Sequence, residues 1–351
     1  MESTAEWTEA GAYRVADDVF RIPLPLPQDG LRAVNVYLLE TPAGPVMIDG
    51  GWALQEARDL LTRALRSVGF ELWDIKEFLV THAHRDHYTL AAIIRRDFPH
   101  MQISLGAGER PTLDVPQGAE KDWKDSSESG LVRSGAHELA KAWTASPASR
   151  LPDPALWEMP NAWLEDDQVL GVGNRELHAV STPGHTQGHF VFADHEAGLL
   201  FAGDHVLPTI TPSIGYEPVA REEPLADFLR SLAKVRAMPD MTLLPAHGPV
   251  RPSVHARVDE LLLHHENRLN RCLEAVETGY DTAYAVADQL PWTSRGTRLE
   301  QLDLFNATLA TLETLAHLDV LAAQGRVASE ELEGVSRWRP VQHIGKEGEG
   351  S

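Results

Sequence analysis

The run THAHRDH at residues 81–87, directly after a short apolar segment, constrains this chain more than any other feature. It places four potential metal ligands within six positions: His82, His84, Asp86 and His87. In an extended turn, alternation would aim His82 and His84 the same way, while Asp86 and His87 could turn toward a neighbouring point. That arrangement suits two metal ions a short distance apart. Imidazole and carboxylate ligands suit zinc, although iron and manganese also accept them.

The competing interpretation of this run is a polar loop that is rich in histidine by chance. The chain has only 16 histidines in 351 residues, so three at this spacing are improbable without a common purpose. We therefore predict a metal-binding loop that follows a buried strand.

Three later segments supply further candidate ligands, each just past a predicted strand. STPGHTQGH contains His185, FAGDH contains Asp204, and LLPAHGP contains His247. Any one of these residues alone would more often serve a turn or a helix cap. Four such segments in this order indicate one site, because the strand ends of layered α/β folds commonly assemble ligand sites.

Apolar periodicity gives a coarse map of the remaining chain. Residues 12–49 are β-rich, a helix is predicted over about 53–68, and helical character returns after Thr89. Between about 105 and 165 the pattern is weak; we expect QGAEKDWKDSSESG to be an exposed loop and HELAKAW to be a short helix. Strand patterns resume at ELHAVST, GHFVFAD, GLLFAGD and MTLLPAHG.

After Pro252 the pattern becomes helical, which predicts a domain boundary there. We expect a catalytic domain over 1–251 with an insertion at about 105–165. A helical domain over 252–345 and a disordered tail over 346–351 would follow.

Composition restricts the class of protein. A formal charge of −21 disfavours nucleic-acid binding, which usually requires a basic surface. The single cysteine, Cys272, excludes an intrachain disulfide and fits a reducing compartment. Residues 1–20 lack the features of a secretory signal, and no segment approaches the ~20 apolar residues of a membrane helix. We therefore expect a cytoplasmic protein without a membrane partner.

The ordered motifs resemble those of the metallo-β-lactamase superfamily, whose pattern runs Asp, H-x-H-x-D-H, His, Asp, His. Here these positions correspond to Asp49, residues 82–87, His185, Asp204 and His247. The resemblance covers about residues 15–250. It implies an α/β fold, a four-layer αββα sandwich with the metals at one edge.

The resemblance also implies a ligand set for two Zn²⁺ ions. One metal would take His82, His84 and His185, the other Asp86, His87 and His247. Asp204 would bridge the two, and Asp49 would orient a ligand turn.

Paired zinc implies hydrolysis by a metal-bridging hydroxide, because metal binding lowers the pKa of water to about 7. Asp86 is the catalytic candidate, since it is placed to hold the nucleophile and to assist proton transfer. The same chemistry cleaves thioesters, esters, lactones and phosphodiesters, so the superfamily does not name the substrate.

Departures from the pattern narrow the subgroup. Asp204 argues against zinc β-lactamases, which typically have Cys or Ser there, and His84 argues against the flavodiiron subgroup, which has Glu. Thr89 stands where many members have Gly. Additional histidines near the motifs, His189 and His205, are more typical of supporting or structural residues.

Four tryptophans lie in the weakly patterned insertion: Trp123, Trp143, Trp157 and Trp163. They would either pack the insertion or line an apolar pocket as a lid, since ligand sites are mostly apolar. Together with the acidic charge, this favours a small-molecule acyl substrate.

The helical C-terminal region resembles the winged-helix-like module of the lactamase-beta-like subgroup, which includes an endoribonuclease. A metal-dependent nuclease is therefore the principal alternative. Its candidate recognition helix, NATLATLETLAHLDVLAA, contains no Lys or Arg, whereas a helix in a groove needs basic contacts. We expect the module to be structural, closing the active site or a homodimer interface. A mononuclear iron oxygenase of the persulfide-dioxygenase kind is the third alternative.

Overall fold

The computed structural model describes residues 6–27, 29–118, 126–149, 153–292 and 296–341. These residues form two compact units. The first unit comprises the described parts of 1–123 and 150–213, together with 217–262. The second comprises the described parts of 124–149, 214–216 and 263–351. The predicted tail at 346–351 and Trp123 lie outside the described residues.

The first unit contains a sheet whose seven strands follow chain order. They are β1 (Tyr13–Ala16), β2 (Val19–Pro25), β3 (Ala33–Leu39), β4 (Val46–Ile48), β5 (Glu77–Leu79), β6 (Gln102–Gly106) and β7 (Ala162–Leu164). Neighbours from β1 to β4 pair antiparallel, and those from β4 to β7 pair parallel. The helices α1 (Gln55–Ser67) and α2 (Arg85–Asp97) make the parallel crossovers from β4 to β6.

A second sheet in the same unit has five strands in the order β12, β11, β10, β9, β8. Their bounds are β8 (Gln168–Val172), β9 (Arg175–Ser181), β10 (Phe190–Asp194), β11 (Leu199–Gly203) and β12 (Thr242–Pro245). Helix α6 (Pro224–Ala237) connects β11 to β12, which pair parallel. It packs beside this sheet, where Phe228 contacts the His205 ring and Ser231 Oγ donates to the Pro183 carbonyl.

Alternation along the strands explains why the two sheets stack. In β3, Val34, Val36 and Leu38 share a core with α1 and α2, whereas Tyr37 and Leu39 pack in a core with the second sheet. Because both faces of the strand are buried, its sequence is apolar except for Asn35. The layers therefore follow the order helix, sheet, sheet, helix, and the predicted αββα sandwich is confirmed.

The second unit is mainly helical. It contains α4 (Ser126–Arg133), α5 (His137–Thr144), the second half of α7 (Val254–Glu277), α8 (Ala283–Gln289), α9 (Leu304–Ala323) and a hairpin of β13 (Val327–Leu332) and β14 (Val335–Pro340). A short helix, α3 (Arg110–Asp114), belongs to the first unit. The hairpin after α9 has the position of a wing in a winged-helix module.

These units divide the chain differently from the predicted boundary at residue 252. Helix α7 begins at Val254 and runs without interruption to Glu277, so the unit changes at residue 263, inside this helix. Residues 126–149 of the predicted insertion belong to the second unit, because Leu131, Ala140 and Trp143 share a core with Leu312. The exposed loop was expected over residues 117–130, of which 126–130 belong to helix α4 and 119–125 lie outside the described residues.

The tryptophans of the insertion have packing partners where the structure describes them. Trp143 is 0% exposed within the second unit, which removes it as a lining residue of an open pocket. Trp157 stacks on Tyr88, and Trp163 lies against the Arg110 guanidinium. For these three residues the contacts favour the packing interpretation.

Candidate metal centre

The THAHRDH run divides between a turn and a helix. His82 and His84 follow β5 in extended backbone, and His84 is the N-cap of α2 with φ −90° and ψ 156°. Asp86 and His87 lie in the first helical turn, whereas the sequence analysis placed them in an extended turn. Helix α2 starts this early because Tyr88, Ala91 and Ile94 bury one face of it from the first turn onward. The change of backbone separates the two pairs of ligands in space.

A first cluster joins His82, His84, His185 and Asp204, which the structure brings together from three segments. His84 Nδ1 lies 2.9 Å from His82 Nε2 and 3.1 Å from His185 Nε2. Asp204 Oδ2 lies 3.4 Å from His185 Nε2.

A second cluster joins Asp86, His87 and His247. His247 Nε2 lies 3.4 Å from Asp86 Oδ2 and 3.3 Å from Asp204 Oδ1. His87 Nε2 lies 3.7 Å from Asp86 Oδ2 and 3.6 Å from Asp204 Oδ1. The two oxygens of Asp204 are thus divided, Oδ2 toward the first cluster and Oδ1 toward the second.

The spacing and bonding of these atoms fit bound metal ions. Ligands held about 2.0–2.1 Å from a tetrahedral zinc lie about 3.3–3.4 Å from one another, close to the separations in both clusters. Three buried atoms here make no hydrogen bond: His87 Nε2, His247 Nε2 and Asp204 Oδ1. Buried polar atoms are normally paired, and a cation is the partner that satisfies a nitrogen lone pair and a carboxylate together.

The histidine tautomers point the same way. His185 Nδ1 faces the Ser213 carbonyl at 2.8 Å and His247 Nδ1 faces the Ala33 carbonyl at 2.8 Å. A carbonyl only accepts, so each Nδ1 carries a proton and each ring directs its Nε2 toward its cluster.

Electrostatics differ between the two clusters. Burial, with the nearby His185, lowers the pKa of His84 to about 3, and burial also lowers the pKa of His82 well below its ordinary value. Burial alone would lower the pKa of His87, but the carboxylates of Asp49, Asp86 and Asp204 outweigh it and raise that pKa to about 10. The second cluster thus attracts positive charge, and without a metal a proton takes that place.

Asp49 fixes the ligand turn from below. Its Oδ2 lies 2.8 Å from His87 Nδ1, and its Oδ1 accepts from the Thr81 backbone N–H at 2.8 Å. The backbone of Asp49 has φ +61°, a conformation that costs about 1–3 kcal/mol and persists where surrounding contacts enforce it. These contacts agree with the orienting role expected for Asp49.

Strand β3 holds the His247 turn. The buried Asn35 donates from Nδ2 to the carbonyls of Pro245 and Gly248 at 3.0 and 2.9 Å. Tyr37 donates its hydroxyl to the Pro245 carbonyl at 2.8 Å. His247 is therefore fixed by a strand more than 200 residues earlier in the chain.

The remaining residues singled out from the sequence have supporting contacts. Thr89 Oγ1 accepts from the Ala53 N–H at 2.9 Å, which joins α2 to the segment after β4. His189 Nε2 accepts from the Asp204 backbone N–H at 3.2 Å, so it supports a ligand segment. His205 is buried against Phe228.

Sequence reasoning missed two buried acids beside the His185 turn, Glu109 and Glu217. Glu109 accepts a hydrogen bond from Thr186 Oγ1, and Glu217 Oε2 accepts from the Gln187 N–H at 2.9 Å. Glu109 follows β6 in the run LGAGER, and Glu217 stands in GYEP; neither has a local pattern that would mark it.

The sequence profile of the metallo-beta-lactamase superfamily matches residues 29–247. That segment spans more than half of the chain and contains all seven residues of the two clusters. The chain belongs to the metallo-beta-lactamase superfamily.

Similar proteins span nearly the whole chain. A crystal structure of a metallo-beta-lactamase family protein from Thermus thermophilus has a TM-score of 0.75 at 27% identity, covering 93% of this chain and 100% of that one. The probable metallo-hydrolase YqjP of Bacillus subtilis is 27% identical over 89% of this chain and 95% of its own length. An atrochrysone carboxyl ACP thioesterase of Aspergillus aculeatus is 24% identical over 88% of this chain and 81% of its own. These relatives support a hydrolase.

Proposed function

We propose that this chain is a dinuclear zinc hydrolase that cleaves an acyl bond, a thioester, ester or lactone, in a small and partly apolar substrate. The observation that carries this proposal is the division of the two Asp204 oxygens between two clusters of nitrogen ligands. A carboxylate in that position can bridge two cations.

The residues that would hold the metals are His82, His84 and His185 for one, Asp86, His87 and His247 for the other, with Asp204 between them. Bound zinc would polarise a carbonyl and lower the pKa of a water molecule to about 7. Asp86 would hold that water and receive its proton, because its Oδ2 lies at the second cluster, 3.4 Å from His247 Nε2. His185 and His247 stay oriented through the carbonyls that their Nδ1 atoms face.

An acyl substrate is supported by the charge of the chain and by its relatives. A formal charge of −21 repels polyanions, whereas a small acyl compound has no such barrier. Relatives from Aspergillus aculeatus and Paecilomyces divaricatus bear the name of thioesterases that act on an acyl carrier protein.

The nuclease alternative loses support from helix α9, the candidate recognition helix. Twelve of its twenty residues are buried, among them Leu312, Leu315 and Leu318. A helix that reads a groove needs an exposed face with basic side chains. The exposed part of α9 offers none, because the helix has no Lys or Arg.

Hydrolysis of short-chain and long-chain thioesters, esters and lactones by the zinc-loaded protein tests this proposal, with short single-stranded RNA in parallel. We expect acyl turnover that His84→Ala abolishes. The control is His100→Ala, which removes an exposed histidine that contacts the Trp73 carbonyl. RNA cleavage that His84→Ala abolishes, without acyl turnover, would establish the nuclease instead.

Elemental analysis separates the oxygenase alternative. We expect close to two metal ions per chain, chiefly zinc; one iron with oxygen consumption would contradict the proposal.

Among the described residues, none of the helices has the length and apolar character needed to cross a membrane. Action in the cytoplasm and homodimer formation stay predictions.

A further inference from the structure

The turn that carries His185, residues 183–189, lies against the end of strand β6 without side chains between them. A Cβ at Gly188 would come within 2.3 Å of Glu109 N, and one at Gly106 within 2.1 Å of the Gly188 carbonyl oxygen. No larger residue fits at either position while the two backbones keep this contact. The turn is therefore seated on residues 106–109.

Two acids hold the same turn at consecutive residues. Glu109, 0% exposed, accepts from Thr186 Oγ1, and Glu217, 7% exposed, accepts from the Gln187 N–H at 2.9 Å. Thr186 and Gln187 directly follow the ligand His185. Burying a carboxyl is costly, so an arrangement with two of them beside one turn requires compensation by the contacts they make.

The end of β6 also lies beside the other ligand turn of the first cluster. β6 pairs parallel with β5, and the Val80 N–H donates to the Ser104 carbonyl at 2.9 Å. Val80 is two residues before His82. The segment that carries Glu109 is thus joined to both turns that supply the histidines of the first cluster.

We propose that Glu109 and Glu217 are positioning residues that fix the His185 turn relative to His82 and His84, so that the first metal site is formed before the metal binds. This inference rests on the proposed function, since it concerns the same site. Residues that orient ligand-bearing groups typically change metal affinity or activity by about 10–100-fold when they are replaced.

The test is metal affinity in the full chain, measured by competition with a chromophoric chelator, together with the absorption spectrum of bound Co²⁺. Glu109→Gln should weaken binding of one of the two ions by about 10–100-fold, because a neutral amide oxygen accepts from the Thr186 hydroxyl less strongly than a carboxylate does. Thr186→Val, which keeps the shape and removes the hydroxyl, should act in the same direction and alter the Co²⁺ spectrum. Glu217→Gln should act in the same direction more weakly, since its partner, the Gln187 N–H, lies one residue further from His185.

Two further variants separate positioning from stability. Thr186→Ser restores a hydroxyl and should return the affinity to within about 2-fold of the natural chain. Asp194→Asn removes a buried carboxylate that pairs with Arg175 at 2.6 Å. It should lower the melting temperature and leave metal affinity unchanged.

Each outcome decides the inference. Natural affinity for both ions in Glu109→Gln and Thr186→Val would overturn it while the proposed function stands. If Glu109→Gln does not fold, Thr186→Val and Thr186→Ser decide alone. Failure of the natural chain to bind any metal would overturn the proposed function and this inference together.

Discussion

Among the described residues, buried histidines lie together at the candidate metal centre of the first unit and in the His265–His317 pair of the second, and these two groups are built in opposite ways. In the first unit, the histidine nitrogens converge with the Asp86 and Asp204 carboxylates. In the second, His265 and His317 stack with centroids 5.3 Å apart, and His265 Nδ1 lies 3.2 Å from His317 Nε2. There His317 Nδ1 faces the Glu313 carbonyl at 2.7 Å, so the rings form a chain of hydrogen bonds ending on backbone.

The charges around the candidate metal centre and around the His265–His317 pair also differ. Carboxylates raise the pKa of His87 to about 10, whereas burial, followed by the charge of Arg268, lowers the pKa of His317 to about 3. Arg268 lies 3.8 Å above the Trp292 ring and donates to the Pro291 carbonyl at 2.8 Å. His264, His265 and Glu313 could also approach a common ion, but a fixed guanidinium beside them opposes a dication. Buried histidines alone therefore do not make a metal site; converging lone pairs and an excess of carboxylate do.

Replacing one histidine at the candidate metal centre and one in the His265–His317 pair should give the largest contrast. His247→Ala should lower metal content from about two ions and reduce acyl turnover by about 100-fold or more, beyond the effect of a supporting residue. His317→Ala should keep both. Elemental analysis and kcat/KM measure the difference, and loss of metal from His317→Ala would contradict the comparison.

Chelation should destabilise the candidate metal centre and leave the His265–His317 pair unchanged. Ligands at 1,000 times their Kd stabilise a folded state by about 4 kcal/mol, so metal removal should lower the melting temperature. Hydrogen exchange should accelerate in residues 81–87 and 183–189. Equal acceleration in α9 would show that chelation affects the candidate metal centre and the His265–His317 pair alike.

Replacing Asp49 tests whether this residue orients a ligand of the candidate metal centre. Asp49→Asn removes the charge beside His87 Nδ1 and should weaken metal binding by about 10–100-fold. Asp281→Asn is the control, since it removes a carboxylate that pairs with Arg337 in the second unit. Chelator competition measures both, and equal affinities in the two variants would contradict an orienting role.

The His265–His317 pair should make the stability of the folded chain depend on pH. The pKa of His317 is lower folded than unfolded, so the unfolded state binds more protons below the ordinary value of about 6.5. Stability should fall as the pH drops from about 6.5 toward 3. His317→Phe should reduce that slope, at a cost of about 1–3 kcal/mol at pH 7 for the lost hydrogen bonds. Denaturant titrations between pH 4 and 7 measure it; an unchanged slope would contradict the assignment.

The sequence by itself determined the family and the candidate ligands of the metal centre. These ligands lie in THAHRDH and at His185, Asp204 and His247. They could be identified because each ligand-bearing turn follows a strand, and a strand's short apolar run can be recognised from the local sequence. The αββα sandwich was implied by the resemblance to the superfamily that these motifs carry.

Apart from Asp49, which the resemblance already implied, only the tertiary structure decided which residues support those ligands and how the chain divides. Asn35 reaches Pro245, and Glu109 reaches Thr186, across separations that no local period encodes. The division inside α7 was equally hidden, because an uninterrupted helix gives no change of pattern where its packing partners change. Residues 126–149 join the second unit because Leu131 and Trp143 bury their apolar surface with Leu312. Periodicity shows that such a face must be buried, but only the fold selects its partner.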